Sequence, residues 1–312
     1  MPFEIIHNDI TTMHVDAIVN STCPLSKIEG GTDSIIHKAA GSELLKAREK
    51  FGILNDTEAV ITKGYHLPAT YVIHVIAPVY IDGFFDEHAM LYNTYMNALK
   101  LAQSRELTSI AFPLIASGTY AFPRGEALTI ALRAIEAFLK TYEMMIYLVV
   151  YDDASYQLSK ARFNTIKSYI KHHQDQKETM TIHQSKAVGD LDEWLQVKDE
   201  TFTESLLSII DAKGLDDVSV YKKANIDRKL FSKIRSNPTY QVSKPTAIAL
   251  ALAVELNLDD TQDLLMRAGY ALSPSQPFDL IVQFFIESGN YNLFEINQTL
   301  FAFEGRTLGG NG

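Results

Sequence analysis

Short apolar runs alternate with amphipathic helical patterns from Phe3 to about Gln174, and few architectures accept that alternation. The runs at 3–7, 15–20, 59–62, 71–76, 109–114 and 146–151 read as strands, and the segments 91–103, 125–142 and 155–172 as helices. Several runs are near-continuous Ile, Val and Leu, as expected of strands covered on both faces. The pattern predicts a layered α/β domain with helices on both faces of one sheet. Ligands of such sheets bind beyond the carboxyl ends of the strands. Here that means the loops after Asn20, Leu114 and Tyr151 and the turn after His7.

Those loops carry specific chemistry. The run ending at Asn20 enters a loop containing Cys23 and then Gly30-Gly31-Thr32, after which a helix over 33–40 stops at Gly41, a usual C-cap. A strand, paired glycines and a helix N-terminus can cradle phosphate, because glycine lets backbone N–H groups approach an anion and the helix start is electropositive. An ordinary strand-to-helix turn has the same appearance. Ser117-Gly118-Thr119-Tyr120, followed by Phe122, offers a second stretch of accessible donors. Tyr151, at the end of the last run, can stack on a base or fill the core. Asp33 reads as a water-positioning carboxylate or as an acid favoured by the helix dipole. Cys23 reads as a nucleophile or as a small buried hydrophobe. His37 and His74 read as packing or hydrogen-bonding residues, and no metal-ligand cluster is evident.

Composition limits the class. At 46% hydrophobic and 21% charged residues over 312 positions, the chain resembles a soluble globular protein. No run approaches the ~20 apolar residues of a membrane span. The start, Met1-Pro2-Phe3-Glu4-Ile5-Ile6, lacks signal-peptide features. A single cysteine excludes an internal disulfide framework. These features predict a cytoplasmic protein that does not engage membranes. A net charge of −10 argues against coating nucleic acid with the whole surface, while leaving room for a local basic patch.

The polar segment 174–190 reads as a linker. Beyond it strand signals vanish, and helical patterns at 191–198, 203–213, 218–223, 227–235, 246–256, 261–268, 278–288 and 293–303 predict an all-α domain over 191–312. The first domain is expected over 1–173. Within the second, 218–224, the break Asn225-Ile226-Asp227 and 228–235 have helix-turn-helix spacing. Lys222, Lys223, Arg228, Lys229, Lys233 and Arg235 outweigh Asp227 there. Such a second helix can enter a major groove while lysines meet phosphates. A helical docking domain with a solvated basic face fits equally.

The residues carry two resemblances. Asn8-Asp9-Ile10-Thr11, Val15–Asn20, Gly30-Gly31-Thr32-Asp33 with Ile36–Gly41, Tyr71–Pro78 and Ser117–Pro123, in that order, resemble a macrodomain of the MacroD type over 3 to about 160. The second half resembles a Cro/lambda-repressor-type helix-turn-helix. The implied fold is a three-layer αβα macrodomain with a mixed sheet, followed by an all-α helix-turn-helix-like domain. The macrodomain resemblance implies ADP-ribose as ligand and no cofactor. Asp9 would accept from the adenine amine, Ile10 would line that pocket and Tyr151 would stack on the base. Gly30, Gly31, Thr32, Ser117, Gly118, Thr119 and Tyr120 would hold the diphosphate. Asp33 would face the distal ribose, which Tyr120 or Phe122 would cover. Asp33, Asn20 and Cys23 form the implied catalytic set for hydrolysing a mono-ADP-ribosyl bond or a related ADP-ribose derivative.

Two departures from that family favour a non-catalytic sensor or adaptor. Cys23 stands where the family's hydrolases carry a second asparagine, and a thiol cannot donate and accept like an amide. Ile28 and Glu29 replace the first two of four glycines. The helix-turn-helix resemblance implies a DNA partner and a homodimer, since such readers pair half-sites.

Overall fold

The computed structural model describes residues 3–25, 27–82, 86–118, 120–150, 160–175 and 200–309. The chain forms two compact units, Met1–Ser159 and Lys160–Gly312. Among the described residues no helix is long and apolar enough to cross a membrane.

The first unit is built on a six-stranded sheet. Its strands are β1 (Phe3–His7), β2 (Ala17–Thr22), β3 (Ala59–Lys63), β4 (Tyr71–Ile76), β5 (Ser109–Pro113) and β6 (Met145–Val150), in the spatial order β1-β6-β5-β2-β4-β3. β3 runs antiparallel to β4, and the other pairings are parallel. The sheet is therefore mixed, with its one antiparallel strand at an edge. Ile18, Val19, Val72, Ile73, Ile110, Ala111, Ile146 and Leu148 are almost wholly buried, so both faces of the central strands are covered. That double burial explains why these strands read as continuous apolar runs.

The helices of this unit are α1 (Thr32–Ala40), α2 (Ser42–Glu49), α3 (Glu87–Ser104) and α4 (Arg124–Thr141). Gly41 ends α1 with φ +87°, its N–H reaching the His37 carbonyl, and the chain re-enters a helix at once. A Cβ on Gly41 would lie 2.9 Å from the His66 ring, so the tight corner accepts only glycine. The sequence reading ends the helical pattern at Gly41 and omits α2. Helix propensity beyond a C-cap glycine carries little signal, whereas burial of Leu44 and Arg48 one turn apart holds α2 in place.

The second unit is helical throughout its described residues. It comprises α5 (Lys160–Asp175), α6 (Phe202–Ala212), α7 (Asp217–Lys223), α8 (Arg228–Ser236), α9 (Lys244–Ala253), α10 (Leu258–Arg267), α11 (Pro277–Glu287) and α12 (Leu293–Glu304). Side-chain caps set most helix starts. Thr201 and Glu204 form a reciprocal capping box, and Asp216, Asp227, Ser243, Asn257 and Asn292 each accept from a backbone N–H of the first turn. Ile166 and Ile170 of α5 are buried in the core of this unit with Leu250, Ile281 and Phe285. The compact boundary accordingly falls at 159/160, whereas the sequence reading places it at 173. An amphipathic helix goes with whichever core takes its apolar stripe, which periodicity alone does not specify. Most of the expected linker and the helix expected over 191–198 lie outside the described residues.

Candidate functional site

Parallel pairing puts the carboxyl ends of β1, β6, β5, β2 and β4 at one edge of the sheet. The loops that follow meet there. The Tyr120 hydroxyl, on the loop after β5, donates to Glu29 Oε2 on the loop after β2 at 2.7 Å. The Tyr80 N–H, after β4, donates to the Tyr120 carbonyl at 3.0 Å. Gly30, Gly31 and Gly118 face open space, with no atom within 4 Å of where a Cβ would stand. Gly31 has φ +67° immediately before α1, so the helix's unpaired N–H groups begin at an uncovered left-handed corner. Thr32 and Ser117 are half-buried beside these glycines, and the Ser117 hydroxyl is turned back onto the Leu114 carbonyl at 2.8 Å.

The floor of this cradle is polar and buried. Asn20 Nδ2 donates to Asp33 Oδ1 at 2.6 Å and lies 3.4 Å from His74 Nδ1. The Glu29 N–H donates to Asp33 Oδ2 at 2.6 Å, and His37 Nε2 lies 3.4 Å from Asp33 Oδ1. With an Asn20 amide donor on one side, His74 Nδ1 is the acceptor and its Nε2–H points to Thr62 Oγ1 at 3.0 Å. Burial first, then the Arg48 guanidinium and His37, push His74 down to about 3, so this ring is neutral. Burial also lowers His37, against the pull of Asp33. Asn20 Oδ1 and His37 Nδ1 are buried without a hydrogen-bond partner among the described residues.

Asp33 differs from its expected orientation. It is 2% exposed and both carboxylate oxygens accept hydrogen bonds from the protein, so it braces the loop from beneath. Phe122, expected to cover a sugar, is also 2% exposed, and its ring packs on Tyr80 and His88 with centroids 4.8 and 5.4 Å away. The Phe122 N–H bonds the Ala116 carbonyl, which folds the loop back and turns that ring inward. Cys23 is half-buried and its thiol donates to the Leu25 carbonyl at 2.8 Å. Asp9 is half-buried, with Oδ1 taken by the N–H and hydroxyl of Thr11 at 2.9 and 2.7 Å. Ile10 is buried in a cluster with Ile18, Ile36 and Val149. Thr119 and Tyr151 lie outside the described residues.

One contributor was not visible in the sequence. Arg48 of α2, 1% exposed, donates from Nη1 to the Gly52 carbonyl at 3.0 Å and from Nη2 to the carbonyls of Cys23 and Pro24 at 3.4 and 3.3 Å. It fastens the start of the glycine loop. Arg48 lies one turn after the buried Leu44, but a charged residue at that spacing reads from sequence as a solvated one. Among the described residues no three metal-ligating side chains converge.

The basic residues of the second unit are partly spent on internal pairs. Lys223 Nζ lies 2.9 Å from Glu255 Oε1, and Arg235 Nη1 lies 2.6 Å from Asp217 Oδ1. Lys222 is half-buried, while Arg228, Lys229 and Lys233 are exposed. The turn between α7 and α8 carries Asn225 at φ +53°, a left-handed residue that asparagine tolerates. Gly309 packs against it: a Cβ there would stand 2.6 Å from the Asn225 carbonyl. A DNA-reading helix-turn-helix is not established by this arrangement, because helix spacing in sequence says nothing of the acids that other helices bring to the basic face.

Residues 19–131 match the family model described as Macro domain. The chain is 42% identical over 167 residues to a macro domain-containing protein in the gbd 3'region of Cupriavidus necator, covering 52% of this chain and 96% of that relative. It is 41% identical over 160 residues to an O-acetyl-ADP-ribose deacetylase of Escherichia fergusonii, covering 49% of this chain and 90% of the relative. Among solved structures, the Oceanobacillus iheyensis macrodomain with ADP aligns with a TM-score of 0.48 at 33% identity, over 53% of this chain and 92% of that one.

Proposed function

Because the chain belongs to the Macro domain family, we propose that its first unit binds ADP-ribose and hydrolyses a bond at the distal ribose of an ADP-ribose derivative. The observation that carries this reading is the pair of open glycine corners, Gly30-Gly31 and Gly118, at the ends of the neighbouring strands β2 and β5. Two such corners, one opening a helix, match the two phosphates of a diphosphate. The nucleoside then extends toward Asp9 after β1, and the distal ribose toward Glu29 and Tyr120. The relative named O-acetyl-ADP-ribose deacetylase makes the acetyl ester the first substrate to try.

Binding without turnover is the second reading, and the inward-facing Asp33 favours it. For the helical unit, a docking role accounts better for the Lys223–Glu255 and Arg235–Asp217 pairs than DNA reading does. Cations committed to carboxylates release fewer counterions from a duplex.

The deciding experiment measures product release by the full chain from O-acetyl-ADP-ribose and from Glu- or Asp-linked mono-ADP-ribosyl protein, alongside calorimetric binding of ADP-ribose. Turnover with micromolar binding is expected. Binding without turnover on every substrate replaces the hydrolase with a reader, and absence of both removes the ADP-ribose assignment.

A further inference from the structure

General-base hydrolysis at this site needs a group that can take a proton from water, and Asp33 is poorly placed for it. Both its oxygens accept short hydrogen bonds and the side chain is closed off beneath the loop. Water cannot reach a carboxylate so enclosed without displacing one of those donors. The His74 ring lies in the interior of the sheet, 0% exposed, and His37 is buried beside Asp33. The Cys23 thiol is turned onto the Leu25 carbonyl.

Glu29 differs from all of these. It is half-exposed, sits one residue before the glycine pair, and faces the opposite loop through its 2.7 Å bond from the Tyr120 hydroxyl. Its own N–H, donating to Asp33 Oδ2, pins the backbone beneath. Oε2 has that one phenolic donor, and Oε1 has no protein partner among the described residues. Burial first, and the Glu29 hydrogen bond second, raise the Tyr120 hydroxyl above its ordinary range, so it stays a donor and orients the carboxylate.

We propose that Glu29, oriented by Tyr120, is the proton-accepting carboxylate of this site. The inference rests on the hydrolase reading above. In the step it implies, a water oxygen bonds to the acyl carbon of an O-acyl-ADP-ribose while Glu29 takes the water proton. The bond from acyl carbon to ribose oxygen then breaks, and Glu29 returns that proton to the ribose oxygen. The products are the carboxylic acid and ADP-ribose, with no other reactant. Asp33 and Asn20 are positioning residues in this scheme, holding the Glu29 backbone and the floor under it.

The test follows hydrolysis of O-acetyl-ADP-ribose by the full chain as wild type, Glu29→Gln and Tyr120→Phe, separating kcat from KM, with calorimetric ADP-ribose binding of each. General-base contributions are about 10²–10⁴-fold. Glu29→Gln is expected to lose about 100-fold or more in kcat while binding ADP-ribose within about threefold of wild type, because the amide keeps the side chain's shape and an acceptor for the Tyr120 hydroxyl. Tyr120→Phe is expected to lower kcat more than it weakens ADP-ribose binding, as expected of a residue that orients the carboxylate. A Glu29→Gln variant that binds ADP-ribose and keeps kcat within threefold of wild type overturns the inference alone. A wild type that binds but releases no acetate overturns it together with the hydrolase reading.

Discussion

Asn20 and Asp33 meet through a 2.6 Å hydrogen bond with both residues almost wholly buried, joining β2 to the first turn of α1 beneath the glycine loop. The carboxylate also takes the Glu29 N–H, so strand, loop and helix share one anchor. A buried acceptor that loses its donor costs about 1–3 kcal/mol. Asn20→Ala is therefore expected to lower unfolding stability by roughly 2 kcal/mol and to weaken ADP-ribose binding by freeing the loop. Urea titration and calorimetry check the two effects separately.

His74 gives the first unit an acid sensitivity of known sign. Its ring is held down to about 3 in the folded state, against 6.5 for the free side chain. Below 6.5 the unfolded chain therefore binds a proton that the folded chain refuses. Stability is complete above that value and declines as pH falls from 6.5 toward 3, by at most about 1.4 kcal/mol per pH unit. His37, lowered by burial, acts in the same direction. Urea midpoints from pH 7.5 to 5 should fall less steeply in His74→Gln than in wild type. Parallel slopes contradict the assignment.

Arg48 satisfies carbonyls on both sides of a loop corner with a planar fork that lysine cannot reproduce. Arg48→Lys is expected to cost about 1–3 kcal/mol. Hydrogen exchange should show faster amide exchange at Leu54, whose N–H bonds the Pro24 carbonyl, than elsewhere in the unit. A variant as stable and as protected as wild type removes the fastening role.

Asp9 offers a direct probe of ligand orientation. One oxygen already caps Thr11, so Asp9→Ala confounds folding with binding. Asp9→Asn keeps an acceptor for that cap while presenting an NH2 to the ligand side. Affinity for ADP-ribose should fall about 10-fold, or roughly 1.4 kcal/mol, with the melting temperature unchanged. Equal affinity would move the adenine away from Asp9.

Gly64 is a packing constraint outside the site. A Cβ there would stand 1.9 Å from the Ala69 carbonyl oxygen, a backbone atom that has no rotamer to yield. Gly64→Ala is expected to destabilise by about 3 kcal/mol or more, read as a lowered urea midpoint at unchanged slope.

The strands, and the helices other than α2, were legible in the chain. Continuous Ile/Val/Leu runs marked strands covered on both faces, and Gly41 marked the end of α1, because burial and backbone freedom leave local traces. Capping residues such as Thr201, Asp216 and Asn257 likewise sit where the second unit's helices begin. That the loops after β2 and β5 meet at one edge of the sheet was also legible, since parallel strands order their loops without further information. Tertiary structure alone decided which way the side chains face and which core each helix joins. Asp33 turned inward because it accepts from the Asn20 amide and the Glu29 N–H, partners 13 and 4 residues away. Arg48 became a buried brace, α5 joined the helical core, and Glu255 and Asp217 took Lys223 and Arg235. Each outcome depends on a partner brought from elsewhere in the chain, and periodicity records only neighbours along one element.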